Sequence, residues 1–206
     1  MKHKLLKKYL LPQIAATAAI NNIKVLIPLI NEAKIEKVPF IKIYECLLQN
    51  YLFTGFPSAL TSLKTLKKLY PDKKLPPSED MNLYHFIKQG ELNCRKVYGD
   101  KFEKLIYNIK NFSPELSNWL ILEGYGKVLS RPGLSFKERE LCIIAVLSAL
   151  KFEDQLYSHI NGAVRAKSSI EDIEEVIKNL DLITTKKYST FGMKVLKRYR
   201  KERGAS

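Results

Sequence analysis

Residues 14–69 can be laid over residues 144–199 without a gap, at an offset of 130, and 15 of the 56 pairs are identical. About three or four pairs would coincide by chance, so the chain reads as a doubled unit. "IAATAAI" falls on "IAVLSAL", "LINEA" on "HINGA", and "TLKKL" on "VLKRY". Such a chain is expected to fold its two copies from the same elements, and those elements read as helices. Ser135 precedes "FKERELCIIAVLSAL" (136–150), with Glu138 three residues on, the spacing of a capping box. "EDQLYSHINGAVRAK" (153–167) puts Leu156, Ile160, Ala163 and Val164 on one stripe. Ser169 opens "IEDIEEVIKNLDLIT" (170–184), whose first-turn acids suit a helix N-terminus. "YSTFGMKVLKRYRKE" (188–202) closes the copy. In the first copy Pro57 marks the start of the matching last helix. Strand alternation and hairpin turns are weak throughout, so the expected fold is all-α.

Residues 71–83 carry prolines and charges and read as a linker. That divides the chain into a short, degenerate first repeat (1–70) and a longer second unit (84–206). The formal net charge is +14, which points toward acidic partners or toward well-solvated lysines on a soluble surface. The densest basic run, "KVLKRYRKER" (194–203), suits a helix C-terminus. It lacks the aromatic and glycine pattern of a single-strand binder, so nucleic acid is not the expected partner; anion or nucleic-acid binding by this helix is a third, weaker alternative. No apolar run reaches the roughly 18 residues of a membrane span. The N-terminal "MKHKLLKKYLLPQIAATAAI" has the basic head and apolar middle of a leader. Pro12 and Gln13 interrupt it, and the repeat claims Ile14 onward, so a cytoplasmic protein is expected. Cys46, Cys94 and Cys142 have no near partners in sequence, suit a reducing compartment, and read as buried structural thiols. Three scattered histidines and no glycine-rich phosphate loop give no metal or cofactor site to expect.

The second unit resembles the carboxymuconolactone decarboxylase family. The stretches that carry the likeness are "GELNCRKVYG" (90–99), "YGKVLSRPGLSFKERELCIIAVLSAL" (125–150), "EDQLYSHINGA" (153–163) and "SIEDIEEVI" (169–177). The resemblance implies an alkylhydroperoxidase D-like helical fold. One branch of the family works through a CxxC disulfide beside a glutamate and a histidine. Here the matching positions are Phe152 and Gln155, which supply no thiolate, so the peroxidase branch is disfavoured. The likeness is to the decarboxylase branch. Leu129 and Tyr125 stand where relatives carry tryptophan, a departure that bears on substrate or on activity itself.

His159 is the first candidate, because imidazole gives or takes a proton near neutrality. Its bland alternative is a histidine satisfied within a helix interface. Glu140 holds the position of the family's relay glutamate and is expected to orient His159, or else to be a solvated first-turn acid. Gln155 is one turn before His159 and is a candidate for hydrogen-bonding a substrate carboxylate. Arg131 and Arg139 flank the "RPGLS" turn; either guanidinium could fork onto an anion, or form a salt bridge at the surface. In the first copy the partners of His159 and Glu140 are Leu29 and Leu10. Together these imply a cofactor-independent lyase or isomerase acting on a small anionic lactone or carboxylate. The alternative is a catalytically silent ligand-binding or assembly protein on the same fold. By analogy with six-membered rings of single-repeat relatives, a homo-oligomer of three chains is expected.

Overall fold

The computed structural model describes residues 7–78, 81–183 and 188–204. His3, with the rest of the first six residues, lies outside them, as do parts of the expected linker and of the segment after residue 183. The described residues form helices and no strand, so the all-α expectation holds. Two compact units are present, Met1–Lys74 with Gly133–Ser206, and Leu75–Pro132. This grouping differs from the division at 71–83, and two apolar helices explain it.

α1 (Leu10–Ala19) is buried along its whole length, and α8 (Phe136–Leu150) is buried without interruption from Arg139 to Ala149. A helix that is apolar all round must be covered on every side. These two therefore pack on each other at the centre of the first unit, although they are far apart in sequence. α2 (Ile23–Ile35), α3 (Phe40–Gln49) and α4 (Tyr51–Leu69) surround α1. α9 (Glu153–Arg165), α10 (Ile170–Lys178) and α11 (Tyr188–Arg203) surround α8.

The expected N-caps are present. The Ser135 hydroxyl accepts from the Glu138 amide and the Glu138 carboxylate from the Ser135 amide; Ser169 accepts from the Asp172 amide. α10 stops at Lys178, short of the expected run, and continues as a 3-10 turn, Asn179–Leu182. Asn179 donates its side-chain amide to the Glu175 carbonyl, competing for a backbone acceptor at the helix end. α4 is kinked at Gly55, whose φ of 70° no ordinary helix residue adopts, two residues before Pro57.

The offset of 130 recurs in the backbone. α2 and α9 begin at Ile23 and Glu153 and end at Ile35 and Arg165. Both end in the same cap. Lys37 and Lys167 are left-handed, with φ of 55° and 63°, and the next amides, of Val38 and Ser168, donate back to Ala33 and Ala163. Asn21 and Lys151, also left-handed, turn α1 into α2 and α8 into α9.

In the second unit, α5 (Leu83–Tyr98) lies against a π-helical segment, Leu120–Val128, preceded by α6 (Phe102–Phe112) and α7 (Pro114–Trp119). A Cβ on Gly90 would meet the Ile121 carbonyl oxygen at 2.1 Å, and one on Gly126 the Phe86 carbonyl oxygen at 2.1 Å. The two backbones can approach this closely only through those glycines.

Candidate active site

α8 and α9 form an antiparallel hairpin through the left-handed Lys151. This brings Glu140, in the second turn of α8, beside His159, in the middle of α9. Nδ1 of His159 stands 2.9 Å from Oε2 of Glu140, and the residues are 6% and 1% exposed. The Glu140 carboxylate, when ionised, takes the Nδ1 proton as its hydrogen bond. The imidazole is then held in one tautomer with Nε2 as the basic nitrogen. Glu140 is therefore not a solvated first-turn acid. The ring of Phe53, from α4, meets the imidazole edge-on at a centroid separation of 6.4 Å.

The other expected site residues are placed elsewhere. Gln155 is exposed on the first turn of α9. Arg131 belongs to the second unit. Arg139 is not a surface salt bridge but is buried, at 3% exposure. Its Nη2 donates to Oε2 of Glu45 at 3.2 Å and its Nη1 to Oε1 of Gln49 at 3.1 Å. Neighbours in sequence on a helix point about 100° apart, so Arg139 turns to α3 while Glu140 turns to α9. The sequence reading missed Phe53, Glu45 and Gln49. Glu45 carried a signal: it is a lone acid in the apolar run "IYECLL", and a buried acid calls for a cationic partner.

The family match takes in this hairpin. Residues 114–184, which span it, match the carboxymuconolactone decarboxylase family. The chain is 32% identical over 103 residues to the 4-carboxymuconolactone decarboxylase of Acinetobacter baylyi, covering 50% of this chain and 77% of that protein. The chain belongs to the carboxymuconolactone decarboxylase family. It is also similar to two proteins called peroxisomal protein 2. The relative from Schizosaccharomyces pombe is 28% identical over 143 residues, and the one from Saccharomyces cerevisiae 23% over 163 residues. The matches take in 64% and 66% of this chain but only 63% and 58% of those relatives, so the chain spans less than two thirds of either.

Within the family frame the pair of acid and imidazole can move a proton without sulfur. All three cysteines are buried and unpaired. Burial pushes the Cys94 thiol up to about 12. Burial, then a hydrogen bond with Cys46, pushes the Cys142 thiol well above its usual value. Neither of these two is poised as a thiolate at neutral pH.

Proposed function

We propose that this chain is a cofactor-independent, decarboxylase-like enzyme for a small lactone or carboxylate, with His159 as its proton donor and acceptor. The observation that carries the reading is the buried 2.9 Å contact between Glu140 and His159. On loss of carbon dioxide from an unsaturated lactone acid, the electrons of the breaking C–C bond pass into an extended enolate. The far carbon then needs a proton. Imidazolium at Nε2 supplies it and is recharged from water, while Glu140 steadies the charged ring. Single-copy chemistry fits the repeat: Leu10 and Leu29 hold the matching positions in the first copy. We further propose that the two copies arose by duplication, which the recurrence of helix bounds and left-handed lysines at one offset supports.

A second reading, a silent ligand-binding or assembly protein, is favoured by two observations. Phe53 packs against the imidazole, and the guanidinium next to Glu140 is engaged by Glu45 and Gln49. The test starts from the compound that names the bacterial relative, 4-carboxymuconolactone, and extends to related lactone acids, following carbon dioxide release and solvent proton incorporation. Turnover that falls about 100-fold or more in His159→Leu supports the enzyme reading. Absence of turnover across the series, with Glu140→Leu/His159→Leu folding and assembling as the wild type does, establishes the silent one. A homo-oligomer of three chains belongs to either reading and is checked by sedimentation. Location, cytosolic or peroxisomal as the yeast relatives' names suggest, is checked by imaging a tagged chain.

A further inference from the structure

A cleft of about 360 Å³ opens in the first unit, and neither Glu140 nor His159 lines it. Leu11, Val38 and Leu141 floor it, and Lys7, Lys8 and Lys42 rim it. The floor residues are 7%, 8% and 7% exposed, so an otherwise buried apolar surface is open there. This volume and this mixture, an apolar base with a few charged groups, are those of small-ligand sites.

The rim charges sum to the same value as those at the matching place in the other copy, but the acid stands at a different position. At an offset of 130, Lys7, Lys42 and Glu138 correspond to Lys137, Asp172 and, with the copies exchanged, Lys8. Asp172 accepts from Lys137 at 2.9 Å and from Lys8 at 3.1 Å, so one acid serves two lysines. In the cleft a lysine, Lys42, takes the place of that acid. Lys42 pairs with Glu138, whose carboxylate also closes the Ser135 cap. Lys7 is left with no acid partner among the described residues. A ligand anion beside Lys7 and Lys42 would restore the alternation that Asp172 supplies in the other copy. A neighbouring cleft of about 420 Å³ shares Val38 and Pro39 and adds Lys34, Lys37 and Lys73 against one acid, Asp72. The first 74 residues hold 13 lysines against four acids, a field that draws anions to this face.

We propose that the cleft binds a small amphipathic anion, a carboxylate or monophosphate head on a short apolar body. The head sits between Lys7 and Lys42 and the body lies on Leu11, Val38 and Leu141. The proposal does not depend on His159. The test is a titration of the full chain, with Leu and Val methyl groups labelled for NMR, using hexanoate and hexyl phosphate. Inorganic phosphate and hexanol serve as head without body and body without head. Saturable shifts at the Leu11, Val38 and Leu141 methyls are expected with at least one of the two amphiphiles. Neither control should saturate in that range. Lys7→Glu, at an exposed position, should melt with the wild type and bind at least five-fold more weakly, while His159→Leu binds unchanged. Whichever amphiphile binds more tightly identifies the head group. Shifts centred on other methyls, equal affinity for hexanol, full affinity in Lys7→Glu, or saturation by neither amphiphile would each overturn the proposal.

Discussion

Replacing Arg139 by methionine tests whether this guanidinium holds the fold or waits for a substrate. The structure makes it part of the fold. Arg139 and Glu45 are 3% and 1% exposed and 3.2 Å apart, joining α8 to α3. Removing one partner of a buried pair leaves the other charge in a poor medium, which costs about 3–5 kcal/mol. For a chain of this size each kcal/mol moves the melting point by about 2–4 °C, so Arg139→Met is expected to melt about 6–20 °C lower. The double variant Arg139→Met/Glu45→Met removes both charges and keeps the volume. It should recover most of the loss or exceed the wild type, since a well-packed apolar pair is often as good as a buried ionic one. Thermal and urea unfolding followed by circular dichroism gives all three values. An Arg139→Met protein that melts within a degree of the wild type would refute this reasoning, as would a double variant no more stable than the single one. If Arg139 instead served a substrate, Arg139→Met would raise KM and leave the melting point in place.

The carboxyl of Asp172 is held below its ordinary value of 3.8, first by its hydrogen bond from Lys137, against the opposing effect of burial, and then by Lys8. A lowered acid stabilises the fold above its unfolded pKa and loses that contribution as pH falls through its folded value. Asp172→Asn should therefore melt lower than the wild type at pH 7, with the gap closing below about pH 4; an equal gap at both pH values would exclude this origin. The thiols give a second check. With all three buried, iodoacetamide at pH 8 should label none of them in the native protein and all three in urea, as read by mass spectrometry. Rapid labelling of any one in the native state would contradict the packing described.

The sequence determined the helices, because those depend on short-range patterns. Ser135 with Glu138 and Ser169 with Asp172 cap within one turn, and apolar spacing sets the faces of α9 and α10. The offset of 130 foretold that α2 and α9 would share bounds. His159 was legible as a candidate from the chemistry of imidazole, and Glu140 from the family resemblance; the hairpin of α8 and α9 then brings the two within 2.9 Å. Tertiary structure alone decided which distant helices meet. That α1 packs on α8, that Arg139 turns inward to Glu45, that Phe53 covers the imidazole, and that Lys7 and Lys42 share a cleft floored by Leu141 are all contacts between residues distant in the chain. Periodicity tells which face of a helix is buried but not against what. The partner is chosen by how the apolar surfaces of all the helices close together, and no window of sequence contains that sum.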